Sequence, residues 1–135
     1  MPTSVEAMLY EYTDGIELYP DERIYSQGEI KLSDARAKDI SVTGIALITN
    51  LNCMPDDKFL INLNFDLKRD KIQPMLLCAG VIRTQRTLES GMYNVGMKFF
   101  GLTKPKSENL SKYILAQQKR IILQKRLVEE GEGVE

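Results

Sequence analysis

The stretch Phe59-Leu60-Ile61-Asn62-Leu63-Asn64-Phe65-Asp66-Leu67 decides the fold class. Phe59, Ile61, Leu63, Phe65 and Leu67 fall on every second position, with Leu60, Asn62, Asn64 and Asp66 between them. A period of two marks a β-strand with one apolar face, because successive side chains of an extended chain point to opposite sides. A helix would need its apolar residues three and four apart.

Strand signals continue on both sides. Lys68 to Lys71 is a charged turn, and Pro74 opens the next run. Met75 to Thr84 is nearly continuous and apolar, as expected of a strand covered on both faces for part of its length. Glu89-Ser90-Gly91 turns the chain, and Tyr93, Val95, Met97 and Phe99 alternate again. Upstream, Asn50 to Asp57 is a polar loop containing Pro55, preceded by the strand-like Ile45-Ala46-Leu47-Ile48-Thr49 after Gly44. Ala35 to Ser41 reads as a strand, Ser33-Asp34 as a turn, and Arg23 to Leu32 as a loosely alternating strand. Thr13-Asp14-Gly15 lies between Ala7–Tyr12 and Ile16–Tyr19, a hairpin signal, although Glu6 to Met8 also suits a helix start.

The pattern changes at Pro105. Ser107 is the expected N-cap, with Glu108 in the first turn, where a negative charge suits the helix dipole. No Gly or Pro follows until Gly131. Leu110, Ile114, Ile121 and Val128 recur near heptad spacing, with Gln117 and Gln124 in the same seam. A helix from Ser107 to Glu130 spans about 35 Å, more than a small barrel covers. Its far half, with Ile121, Ile122, Leu123, Leu127 and Val128, needs cover from a second copy or a partner groove. The lysines and arginines between Lys104 and Arg126 suit a solvated helix late in its course.

Six or seven short strands followed by one long helix predict a mainly β protein: an antiparallel barrel or sandwich with a C-terminal helix. The 135 residues suffice for one domain. Residues 1–16 read as an N-terminal extension, 17–106 as the barrel, 107–130 as the helix and 131–135 as a flexible tail. Met8, Met54, Met75, Met92 and Met97 fit core and loop positions better than a binding surface.

Composition narrows the function. Eighteen Lys and Arg against nineteen Asp and Glu give a net charge of -1, unlike the basic excess of most nucleic-acid binders. There is no histidine, which removes the commonest general base and metal ligand together. Ser-His and Cys-His nucleophile pairs cannot form within the chain. Cys53 and Cys78 read as buried thiols. No apolar run approaches a membrane span, so a soluble cytoplasmic protein with no membrane insertion is expected.

Asp39-Ile40-Ser41-Val42-Thr43-Gly44 matches the pattern Asp/Asn-x-Ser-x-x-Gly at the end of one strand and the start of another. Tyr93-Asn94-Val95-Gly96-Met97-Lys98-Phe99 is similar to a last strand of the form Val-Gly-x-x-Phe, and a helix follows it. Together they resemble the PilZ domain family over roughly residues 17 to 120. That resemblance implies a six-stranded antiparallel β-barrel closed by a C-terminal helix. It also implies a non-enzymatic bacterial regulator that binds cyclic di-GMP or relays its signal to a protein partner controlling motility, adhesion or exopolysaccharide. Asp39 and Ser41 would reach a guanine base, and Gly44 would turn the backbone beside it. A carboxylate accepts from guanine's paired N–H donors, and a hydroxyl both donates and accepts. The same residues could instead form a side-chain-closed turn that only connects strands.

The family's Arg-x-x-x-Arg motif, upstream of Asp-x-Ser, is not evident. One register puts Glu17 and Asp21 at its positions; a second puts Arg23 and Gln27 there and keeps one arginine. Arg36 lies near the motif on a strand. The candidate ligand set is therefore Asp39, Ser41, Gly44, Arg23 and Arg36, with no metal and no resident cofactor. Losing two charge-assisted contacts costs about 3–6 kcal/mol, which favours a weak site or an adaptor acting through protein contacts alone. Arg83, Arg86 and Lys98 form a candidate substitute grip, or solvated strand positions. A nucleic-acid-binding barrel would need a basic groove with exposed aromatics. An enzyme would need a pair such as Asp39 with Asp34 or Glu29, which nothing in the sequence brings together.

Overall fold

The computed structural model describes residues 2–12, 31–68, 71–87 and 90–133. Six strands precede one helix: β1 (Pro2–Glu11), β2 (Lys31–Ile40), β3 (Gly44–Thr49), β4 (Lys58–Lys68), β5 (Lys71–Arg86), β6 (Tyr93–Phe100) and α1 (Lys104–Gly133). The strands form a closed antiparallel barrel in the order β1-β2-β3-β6-β5-β4, with β1 pairing back onto β4. This is the barrel and C-terminal helix expected from the sequence.

Two readings of the strands differ. Pro2–Glu11 is not an extension, because β1 is one of the barrel's staves, while residues 1 and 13–16 lie outside the described residues. Ala7 stands opposite Ala35 of β2 on one side and Leu63 of β4 on the other. Val5, Ala7 and Leu9 alternate along β1 and are all buried. Ser33-Asp34 is not a turn either; β2 runs straight through it. The Ser33 hydroxyl lies 3.0 Å from Thr49 Oγ1 and donates to Asn50 Oδ1 at 2.8 Å, across to the next strand and loop. Ser33 also bonds the Asp34 carbonyl at 2.8 Å, a local contact that an extended backbone accommodates. The Asp14-Gly15 hairpin, the start of the Arg23–Leu32 strand, and Glu17, Asp21, Arg23 and Gln27 lie outside the described residues.

Every strand sends its alternate side chains into one core. Phe59, Ile61, Leu63 and Phe65 of β4 meet Met75, Leu77, Ala79 and Val81 of β5 there. Ala7, Ala37 and Ala79 sit among the larger residues, the mixture of small and large inward side chains with which a small barrel fills its interior. Leu60 and Leu76, on the opposite face of the β4–β5 ladder, are also buried. That ladder is covered on both sides, as the continuous apolar run of β5 predicts.

The helix caps one turn earlier than Ser107. Thr103 Oγ1 accepts from the Lys106 N–H at 3.3 Å, and the Thr103 carbonyl accepts from Ser107 N at 2.9 Å. Pro105 fits inside that first turn because the first N–H groups of a helix have no intrahelical acceptor. Glu108 therefore falls outside the first turn, which carries no acidic residue. Gly131 and Gly133 lie within the helix, so it exceeds both ends of the 107–130 span. Leu110 is fully buried, and Tyr113, Ile114 and Gln117 share its face at helical spacing. The Tyr113 ring packs on Phe65 with centroids 5.6 Å apart. Thirty residues make α1 about 45 Å long. Ile122 is exposed beyond the barrel, while the side chains of Ile121, Leu123, Leu127 and Val128 lie outside the described ones.

The two cysteines are free, Cys53 buried and Cys78 only half-buried. Cys53 sits in the β3–β4 loop and points its thiol at the Leu51 carbonyl, 3.6 Å away. Burial first, and the nearby Asp57 carboxylate second, push the Cys53 thiol up from 9.0 to about 11. Burial raises the Cys78 thiol too, against the opposing pull of Lys106. A thiol that holds its proton more tightly when folded stabilises the fold below the unfolded value, and that contribution is lost as pH rises toward the folded one. The melting temperature should therefore fall between pH 9 and pH 11. Thermal melts of Cys53→Ala across that window should show a shallower fall than the parent protein.

Candidate functional site

The β2–β3 connection is built by its own polar side chains. Ser41 N donates to the Gly44 carbonyl at 2.9 Å. The Ser41 hydroxyl oxygen accepts from Thr43 N at 3.3 Å and Gly44 N at 3.2 Å, and lies 3.0 Å from Thr43 Oγ1. Ser41 thus closes a tight turn, which is the connecting role the sequence allowed for it. It remains exposed at the turn.

Gly44 answers to the neighbouring strand. A Cβ there would stand 2.4 Å from the Met97 carbonyl oxygen of β6, a backbone atom with nowhere to go. Its φ is not positive, so close approach of β3 to β6 is what requires glycine. The Phe99 N–H donates to the Thr43 carbonyl at 3.0 Å and extends this contact past the strand end.

The outer face beside the turn is shaped by two β-bulges. In β2, Ala37 stands opposite Leu47 and Ile40 opposite Ile45, all four inside. Two residues, Lys38 and Asp39, occupy the outward step between them, and both are exposed. In β5, Val81 faces inward opposite Met97, and Thr84 stands opposite the buried Val95. Ile82 and Arg83 share the outward step, and both are exposed. Between the bulged strands, β3 and β6 pair without a shift. One transverse row therefore reads Asp39, Ala46, Gly96, Arg83. The next reads Arg36, Ile48, Asn94, Gln85.

Because Ala46 and Gly96 are small, the centre of the first row is a shallow floor. The depression above it holds about 380 Å³, with Lys38, Asp39 and Arg83 on its banks and Gln85 and Asn94 at one end. The Lys38 ammonium donates to Asn94 Oδ1 at 3.5 Å. The Arg83 Cγ lies 3.6 Å from where a Gly96 Cβ would be, so the arginine leans over the floor. A second depression of about 370 Å³ adjoins it, lined by Asp39, Ser41, Gly44, Ile45 and Ala46. Asp39 stands on the divide between the two.

Of the sequence candidates, Asp39, Ser41 and Gly44 line one depression together. Arg36 shares their face, one row away, and is exposed. Arg23 lies outside the described residues. Arg83, Arg86 and Lys98 do not form one cluster: Arg86 stands opposite Tyr93, and Lys98 opposite Gly80 and Gly44. Arg83 joins Lys38 instead. Lys38, Gln85 and Asn94 were missed as site residues, as was the Ala46–Gly96 floor. The signal was present in Ala37-Lys38-Asp39-Ile40, where two polar residues between two inward apolar ones mark a bulge.

The PilZ domain family model matches residues 17–116. The chain is similar in fold to the PilZ domain with c-di-GMP of YcgR from Escherichia coli, with TM-score 0.58 and 10% identity over 91% of this chain and 88% of that one. It is also similar to the inhibitor of motility MotI/DgrA from Bacillus subtilis, with TM-score 0.60 and 12% identity over 89% of this chain. The match covers 49% of MotI/DgrA, so the present chain spans about half the length of that protein. No curated protein matches by sequence.

The two outer-face glycines of this site should respond differently to alanine. Gly44→Ala forces a Cβ into the Met97 carbonyl and should cost about 1–3 kcal/mol in denaturant melts. Gly96→Ala meets only ordinary contact at 3.6 Å and should leave stability within about 0.5 kcal/mol of the parent.

Proposed function

Since the chain belongs to the PilZ domain family, we propose that it is a non-enzymatic regulator in bacterial cyclic di-GMP signalling, with a weak nucleotide site on the outer face of β2 and β3. The observation that carries this reading is the placement of Asp39. Its carboxylate stands exposed at the junction of two depressions, beside the Ser41 turn and in one row with Arg83. A guanine edge presents two N–H donors side by side, and a carboxylate accepts both. The face around Asp39 is basic, with Arg36, Lys38, Arg83 and Lys98 on its strands, although the whole chain carries -1. Local excess of one sign draws in an anion irrespective of net charge.

The second reading is an adaptor that does not bind the nucleotide and acts through protein contacts. It is favoured by Ser41, whose hydroxyl is already engaged by the Thr43 and Gly44 N–H groups. The long helix and its exposed Leu115 and Ile122 would then offer the contact surface, to a protein partner or to a second copy. Among the solved structures that the fold resembles, one is a PilZ domain with c-di-GMP and another is an inhibitor of motility. The latter supports control of motility as the process.

Calorimetric titration with cyclic di-GMP tests the first reading. Binding in the micromolar range is expected, with Asp39→Ala weaker by about tenfold or more, the weight of one charge-assisted contact. Equal affinity in the parent and the variant would remove Asp39 from the site. Silence in both at high ligand concentration would leave the adaptor reading.

A further inference from the structure

Resting on the nucleotide reading, we propose that the phosphates of the ligand are held by Lys38 and Arg83, one from each bulged strand, while a base lies flat on Ala46 and Gly96 between them. The grip comes from the strands of the barrel and does not depend on residues upstream of β2.

A regular strand alternates, so a barrel with a filled interior exposes only every second residue. Each bulge inserts one residue and puts two neighbours outside together. In β2 the pair is Lys38 and Asp39, which sets a cation beside the base-reading carboxylate. In β5 the pair is Ile82 and Arg83, opposite the single residue Gly96. The two bulges lie on the same transverse row, at its two ends. Three inter-strand steps separate those ends, about 14 Å of backbone, and long side chains from both banks reach inward over that span.

The floor is the second half of the argument. Any larger side chain at position 46 or 96 would stand up into the row, since their neighbours Ile45, Leu47, Val95 and Met97 all point inward. Ala46 and Gly96 instead leave a surface on which a planar ring can lie. Its edge then meets Asp39 in the same row, and Arg83, whose Cγ and Nε lie 3.6 and 3.8 Å from where a Gly96 Cβ would be, lifts from Gly96 onto the outer face of the ring. Asn94 holds the Lys38 ammonium at 3.5 Å, toward β6 and over the floor. Two cations and one carboxylate line the depression, a balance that suits a base joined to phosphodiesters better than a neutral ligand. Arginine's planar fork also takes a phosphate through two parallel bonds.

Nuclear magnetic resonance titrations with cyclic di-GMP, and separately with inorganic pyrophosphate, test this on the full chain. Lys38→Ala and Arg83→Ala should each weaken cyclic di-GMP binding about tenfold and flatten its salt dependence. Gly96→Val should abolish binding while the melting temperature holds or rises, because a branched residue suits an outward strand position. Lys112→Ala, an exposed helix change, serves as the charge control and should titrate as the parent. Parent-like binding in both strand variants, with loss in Asp39→Ala, would overturn the strand grip and leave the nucleotide reading standing. Loss in Arg23→Ala with binding kept in both strand variants would do the same. If cyclic di-GMP fails but pyrophosphate shifts the Lys38, Arg83 and Gly96 amides, the grip stands and the cyclic di-GMP reading falls. If neither ligand moves them, both fall.

Discussion

Closure of the barrel is the constraint from which the rest follows. With β1 seated between β2 and β4, all six described strands are paired on both sides, and among the described residues no edge is left to template another chain. A closed interior must be filled, so the inward positions are apolar and their spacing is fixed. Any functional side chain has to work from the outer face, where alternation rations the positions. The bulges at Lys38–Asp39 and Ile82–Arg83 are the departures from that rationing on this face. Each one doubles the outward side chains at a point while its flanking residues keep their inward registers.

Two glycines illustrate how fold and site divide the same strands. Gly44 is required by backbone crowding between β3 and β6, and any Cβ there meets the Met97 carbonyl. Gly96, two positions along the pairing, has room for a Cβ and faces the depression. The first keeps the sheet together at the turn; the second leaves space above it. Ser41 is divided in the same way, since its hydroxyl shapes the turn that holds Asp39 at the strand end. The motif Asp39-x-Ser41-x-x-Gly44 is thus a structural unit first, with Asp39 the member whose side chain is turned outward into both depressions.

The strands most legible in the sequence were those with long, strict alternation: β4, β6 and the apolar run of β5. β1 was not legible as a stave because its described inward residues are Val5, Ala7 and Leu9, with the large Met8 and Tyr10 on alternate positions. The family match begins at residue 17 and does not reach it. β2 was broken at Ser33-Asp34 because those residue types prefer turns when judged locally, whereas here Ser33 bonds across to Thr49 and Asn50. The helix start was misplaced because Thr103, two residues before Pro105, caps as well as a serine does. Of the site, the motif residues were legible as a string of types. The row linking Asp39 to Arg83 was not, because they are forty-four positions apart and meet only through the register of four strands.

The position of β1 also sets an order of events during synthesis. β1 is made before the other described strands, yet its partners are β2, which begins at Lys31, and β4, which begins at Lys58. A chain emerging from the ribosome at about 5–20 residues per second holds β1 without its second partner for several seconds. Through that interval its apolar residues Val5, Ala7 and Leu9 have no barrel to enter. Contacts of such long sequence separation form late and slow the search for the native state. β1 therefore waits for a strand made well after it, and the barrel itself closes only once β5 and β6 have also left the exit tunnel.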